Sequence, residues 1–179
     1  MKTLINLLLL FSFFTVFSQE NKQIKDSIGK DILDNSYFVI ENTLYKKAPN
    51  NLNSYKNISL GDITSIDLIN SLEIVLFYSD FNSVIILDNQ LNVIENIQFQ
   101  DTILFVKKGI TNKLWIYNYD ARKIQLYDYK IKKATISSQV ITDFEPIKMD
   151  GDFNSVRLIG ANKTLVYNQY LNLIDTINH

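Results

Sequence analysis

Lys113-Leu114-Trp115-Ile116-Tyr117, then Asp120-Ala121-Arg122, then Lys123-Ile124-Gln125-Leu126-Tyr127-Asp128, read in order, describe two short strands and the turn between them. Runs of β-branched and aromatic residues bounded by turn formers are the strand signature. In Leu114–Tyr117 the odd and even positions are both apolar, so both faces of this strand need cover. A sheet with one wet face would alternate apolar and polar residues instead.

The pattern returns at a fixed distance. Asp88, Asp128 and Asn168 stand forty positions apart, each closing a short apolar run: Val84–Leu87, Ile124–Tyr127 and Thr164–Tyr167. Leu91, Ile131 and Leu171 repeat the spacing, as do Ile94, Ala134 and Ile174, and Ile74–Tyr78 lies forty before Leu114–Asn118. A gapless period of about 40 residues, with about four short strands in each, reads as the blade of a β-propeller. Three units cover 62–99, 102–140 and 143–178. A fainter one covers 36–60, with Tyr37–Ile40 and Thr43–Tyr45 as its middle strands. Ala48-Pro49-Asn50 lengthens its last loop, after which Leu52 and Ile58 precede Leu91 and Ile97 by thirty-nine. The expected fold is all-β and propeller-like over 36–178, with about 3.5 to 4 blades. Residues 19–35 are polar around Gly29 and read as a disordered leader, which leaves an open arc; a closed ring requires a strand from that segment. Asn92, Lys132, Lys133 and Asn172 mark polar outer edges, and Lys107-Lys108 and Lys132-Lys133 read as solvated pairs.

Residues 1–18 have a different character. Lys2 gives a positive start, Leu4 to Phe17 an apolar run broken only by Asn6, Ser12 and Thr15, and Ser18 a small exit residue before Gln19. That is a secretory signal peptide, since the run is shorter than the ~20 residues a membrane-spanning helix needs. Export to the periplasm or beyond is the expectation, with no integral membrane segment after cleavage. No Cys is available for a lipid anchor. Heavy use of Ile, Asn and Lys, with Arg122 and Arg157 as the two arginines, fits an AT-rich, Gram-negative bacterial genome.

Composition removes several chemistries. The chain has 179 residues, 46% hydrophobic and 21% charged, with a net charge of −1, which is globular and lacks the basic field of a nucleic-acid binder. Zero Cys excludes disulfides and thiolate catalysis, and His179, the one histidine, is the last residue, a poor place for a Ser-His-Asp triad. Asp80, Asp88, Asp120 and Asp128 sit at turns, where Asp is favoured for its own backbone hydrogen bonds rather than for paired-acid work. No catalytic residue and no cofactor is expected.

Two further features invite a site. Asp150, Asp152 and Asn154 place oxygen ligands at alternate positions, as a calcium loop does. That loop also wants Gly at its sixth and Glu at its twelfth position, where Ser155 and Ala161 stand, so a turn is the stronger reading. Trp115, Tyr117 and Tyr119 share one strand face, and Tyr127 and Tyr129 another. Such a ladder stacks on sugar rings or packs between blades; packing is the stronger reading, with Tyr119 and Tyr129 the most exposed.

The run from Lys113 to Asp128 resembles a β-propeller repeat without the signatures of the WD40 or kelch classes. Asp67–Asn96, with Leu76-Phe77-Tyr78-Ser79-Asp80 and Leu87-Asp88-Asn89-Gln90-Leu91, is similar to exported bacterial propeller-like proteins of unknown function. That resemblance implies a chain shortened at its C-terminal end. The function expected is an exported, non-catalytic binding or scaffold module for a protein or glycan partner, its oligomeric state open. A glycan-binding or carbohydrate-active protein and a shortened relative of a longer propeller are the alternatives.

Overall fold

The computed structural model describes residues 26–179; the signal-peptide segment and the first part of the leader lie outside them. Sixteen strands form four antiparallel four-stranded sheets. Blade 1 holds β1 (Asp26–Lys30), β2 (Ser36–Ile40), β3 (Thr43–Ala48) and β4 (Asn51–Tyr55). Blade 2 holds β5 (Ser65–Asp67), β6 (Ile74–Tyr78), β7 (Ser83–Leu87) and β8 (Val93–Gln98). Blade 3 holds β9 (Ile103–Lys108), β10 (Lys113–Asn118), β11 (Lys123–Asp128) and β12 (Lys133–Ser137). Blade 4 holds β13 (Pro146–Gly151), β14 (Ser155–Gly160), β15 (Lys163–Asn168) and β16 (Leu173–Asn178). Two sequence expectations change. The leader contributes β1 to the sheet, so blade 1 begins at residue 26 rather than 36. Its last hairpin turns through Pro49 and Asn50 alone, which leaves Leu52 and Ile58 exposed and brings Tyr55 opposite Leu44.

Stacking explains the double-sided apolar strands. From blade 2, Ile74, Leu76, Tyr78, Ile85 and Leu87 pack on Tyr37 and Leu44 of blade 1. On its other face Val75, Phe77, Val84 and Ile86 meet Leu114, Ile116 and Tyr129 of blade 3. Trp115, Tyr117, Ile124 and Leu126 then face Val156, Leu158, Leu165 and Tyr167 of blade 4. Each large side chain so buried contributes about 1.5–3 kcal/mol. The four sheets form an arc and do not close into a ring.

The forty-residue spacing marks turn chemistry. The Asp88 carboxylate accepts the N–H groups of Gln90 and Asn92 at 2.8 Å each, Asp128 those of Lys130 and Ile131, and Asn168 those of Tyr170 and Asn172. These are Asx turns opening the last hairpin of blades 2, 3 and 4. Leu91 and Leu171 follow with φ of 66° and 59° and are buried. Ile131, their counterpart, is 64% exposed. Blade 3 pairs Asp128 with Lys133, so the positive φ moves to Lys132, at 53°, and Tyr129 fills the interior instead.

A second device links successive blades. Asn42 and Asn82, each one residue before the third strand, hold φ of 62° and 49°, which asparagine tolerates. Asn82 donates to the carbonyls of Phe99 at 3.0 Å and Asp101 at 2.6 Å and accepts the Ile103 N–H at 3.0 Å. Asn42 donates to the Gly61 carbonyl and accepts the Ile63 N–H at 2.8 Å. Both amides thus hold the backbone that leads into the following blade.

Lys108 overturns its reading as a solvated lysine, being 1% exposed. Its ammonium donates to the carbonyls of Gly109 at 3.0 Å and Thr111, and lies 3.1 Å from the Glu73 carboxylate of blade 2. Tyr129 donates to the same carboxylate at 2.6 Å. Lys46 makes the related contact one interface earlier, donating to the Asn89 carbonyl at 2.7 Å, with the Asp31 carboxylate 3.7 Å away.

The tyrosines give the stack an alkaline limit. Burial raises the phenol pKa of Tyr37, Tyr78, Tyr117, Tyr127, Tyr129 and Tyr167 above the ordinary 10.0. A group whose pKa rises on folding stabilises fully below its unfolded value and loses that contribution as pH climbs through the folded one. Burial lowers the Lys108 pKa and acts in the opposite sense, one group against six. The melting temperature is therefore expected to fall steadily once pH exceeds about 10. A flat profile from pH 9 to 11, followed by circular dichroism, contradicts this.

Candidate functional site

The same place in the fold is carved out twice. One groove, of about 520 Å³, lies between blades 2 and 3 and is lined by residues that include Gln98, Gln100, Asp101, Asn118, Gln125 and Tyr127. The other, of about 550 Å³, lies between blades 3 and 4, one period later, lined by residues that include Val140, Ile141, Leu165, Tyr167, Leu171 and Leu173. Both are within the size range of small-molecule sites, roughly 300–1,000 Å³. Both linings mix polar and apolar side chains, the second also presenting Gln139, Thr142, Lys163, Asn172 and Thr176. Ile141 takes the place of Phe99, their N–H groups bonded to the carbonyls of Arg122 and Asn82, and Leu165 stands where the first groove has Gln125, forty residues earlier. Gln125 is therefore no requirement of blade stacking.

Within the first groove the polar side chains hold one another in place. The Asn118 amide donates to Asp101 at 2.8 Å and to Gln125 at 3.3 Å, while its own carbonyl accepts the Ala121 N–H at 2.9 Å. Asn118 is 2% exposed, so its rotamer is fixed by these bonds. Gln125 donates onward to Ser137. Tyr127 is half-buried, its ring edge-on to Phe99 with centroids 5.0 Å apart. Burial raises its pKa, so near neutrality the hydroxyl keeps its proton. Among the described residues that hydroxyl has no hydrogen-bond partner. Lys132 and Lys133 complete the lining and bring positive charge.

The other predicted aromatics divide. Trp115, Tyr117 and Tyr129 are at most 2% exposed and face neighbouring blades, so they present no plane to a ligand. The ladder read on the sequence is an interface: Trp115 donates its indole N–H to the Asp152 carbonyl of blade 4 at 2.9 Å. Tyr119 is 44% exposed at a hairpin turn and is not among the groove residues. Asp101, Asn118 and Gln125 escaped the sequence reading because a lone polar residue at a strand end looks like an ordinary edge. The usable signal was the period itself, which sets Gln125 against Ile85 and Leu165.

The suspected calcium loop is a turn. Asp152 accepts the N–H groups of Asn154 at 2.7 Å and Ser155 at 2.8 Å, whereas Asp150 pairs with Arg157 at 2.9 Å. Its carboxylates are directed to separate partners, and among the described residues no cluster of three or more His, Cys, Asp or Glu side chains fit to hold a metal occurs. Gly151 is needed because a Cβ there would come 2.7 Å from the Ser155 carbonyl oxygen.

No protein-family model matches the chain, and no curated protein does. Solved structures do. Virginiamycin B lyase from Staphylococcus aureus superposes with a TM-score of 0.61 at 12% identity, over 86% of this chain and 55% of that one. The WD40 domain of Neurospora crassa Pan2 gives 0.58 at 12% identity, over 87% and 52%. BBS1N, solved in complex with ARL6DN, gives 0.60 at 11% identity, over 86% and 54%. The fold is a β-propeller. At such identities the likeness carries architecture alone, and the chain spans about half the length of the solved structures it matches. Among the described residues no helix is long and apolar enough to cross a membrane.

Proposed function

We propose that this chain is an exported, non-catalytic binding module that takes a hydroxyl-rich ligand, of the oligosaccharide class, in the groove between blades 2 and 3. One observation carries the reading: this groove holds a preorganised Asp101–Asn118–Gln125 network beside a half-buried tyrosine. Sugars need paired donors and acceptors together with an aromatic surface. Asp101 and the Gln125 carbonyl offer acceptors, and Gln100, Lys132, Lys133 and the Tyr127 hydroxyl offer donors. Binding rather than turnover is supported by the turn carboxylates Asp88, Asp128 and Asp152, whose lone pairs are directed to their own backbone. Export rests on the run from Lys2 to Ser18 and on the resemblance to exported bacterial propeller-like proteins.

A glycan array on the purified protein, followed by calorimetric titration, is the test. An oligosaccharide bound by the wild type is expected to bind Tyr127→Ala at least tenfold more weakly, about 1.4 kcal/mol. The same variant of Tyr119 should leave affinity unchanged, and the bound sugar should be recovered uncleaved. Silence across the array, or equal loss in both variants, removes the proposal; cleavage of the sugar removes its non-catalytic part.

A further inference from the structure

Among the described residues, the outer faces of blades 1 and 4 lack the cover that both faces of blades 2 and 3 have. On blade 4, Arg157, Ile159, Thr164 and Val166 occupy the places that in blade 3 hold Trp115, Tyr117, Ile124 and Leu126, the side chains buried against the next blade. On blade 1, Phe38, Ile40 and Tyr45 lie on the face opposite Tyr37 and Leu44 and are only half-buried, with Phe38 and Tyr45 stacked at 5.3 Å. Both faces keep the apolar centre of an interface.

Blade 4 also keeps the means of holding a successor. Asn162 stands one residue before the third strand, as Asn42 and Asn82 do, eighty residues after Asn82, with Arg122 at the intervening place in blade 3. The main-chain half of the junction is made: His179 N–H donates to the Asn162 carbonyl at 2.9 Å, as Phe99 N–H does to Asn82 at 3.0 Å. The side-chain amide, which in blades 1 and 2 grips the incoming backbone, is exposed in blade 4 and without a partner among the described residues. Asp175 stands opposite Val166 as Glu95 stands opposite Ile86, and Glu95 pairs with Lys130 of the following blade at 2.7 Å. The blade 1 face offers a cation, the exposed Lys47, beside Tyr45.

We infer that the occupant is a second copy of this chain, with blade 1 of each copy docked on blade 4 of the other to close a ring. The chain superposes on about half of longer propellers, so two copies supply the blades of a whole one. Two sets of four give eight, inside the range of roughly four to eight that closed propellers use. The two contacts are identical and head-to-tail, related by one two-fold axis. This pairing is independent of the groove between blades 2 and 3.

Light scattering on the size-fractionated full chain is expected to give twice the mass of one chain. Val166→Glu and Phe38→Glu, on opposite docking faces, should each give folded monomers with an unchanged circular dichroism spectrum. Mixing the two variants restores one intact contact of the two and should recover dimer that neither forms alone. Asn162→Ala should weaken dimerisation about tenfold without unfolding the chain. A wild-type monomer at 100 μM (about the top of the working range), a ladder of higher oligomers, or a dimer that survives both charge substitutions overturns the closed two-copy ring.

Discussion

Lys108→Met is expected to destabilise the protein by about 3–5 kcal/mol, because removing one member of a buried ion pair strands the rest. The substitution keeps the length of the side chain and removes every donor. Glu73 loses its counter-charge at 3.1 Å, and the carbonyls of Gly109 and Thr111 lose the ammonium that satisfies them. Tyr129 and the Asn70 amide are left bonded to Glu73, neither of them charged. For a chain of this size each kcal/mol moves the melting temperature by about 2–4 °C, so a drop of roughly 6–20 °C is the expected reading. The double variant Glu73→Leu, Lys108→Met should recover much of the loss, since an apolar pair of similar volume leaves no charge unpaired. Denaturant titration of the wild type, both singles and the double closes the cycle. A drop below 2 °C in the Lys108 variant means that solvent reaches the ammonium, and the buried network loses its role.

Trp115→Ala is expected to cost about as much, roughly 3–5 kcal/mol, by a different mechanism. Trp115 is fully buried in the cluster joining blades 3 and 4 and reaches across to the Asp152 carbonyl. Truncation leaves a cavity in the interface and an acceptor without its donor. Trp115→Phe keeps most of the ring volume and should cost clearly less. The chain has one tryptophan, so wild-type emission reports this interface directly, blue-shifted when folded and moving to the red as blades 3 and 4 separate. Circular dichroism then follows Trp115→Ala itself. Equal costs for Ala and Phe show that the indole hydrogen bond, rather than packing, holds the two blades together.

The blades were legible because stacking requires a repeated pattern. Both-sided apolar strands such as Val84–Leu87 arise from a sheet covered on both faces, and Asp88, Asp128 and Asn168 arise from a hairpin that needs an acceptor at its first position. Blade 1 was harder to read. Its β1 is short and polar, and pairing with β2 through a bulge between Ser27 and Gly29 holds it in the sheet. The groove was least visible, because Asn118 and Gln125 differ from surface amides only in what surrounds them.

Local sequence alone thus determined the strands and turns of blades 2 to 4, the forty-residue blade and the apolar run of residues 4–17, because each follows from neighbours in the chain. The fates of Lys108, Trp115, Tyr127 and Asn162 depended on three dimensions. A lysine next to another lysine becomes the centre of a buried network once Glu73, thirty-five residues earlier, arrives beside it. An aromatic ladder becomes an interface when a fourth sheet covers it, and Tyr127 lines a groove once Phe99 and Asp101 arrive beside it from the end of blade 2. Burial and charge pairing are properties of what meets across an interface, and the forty residues between one blade and the next carry that partner out of local view.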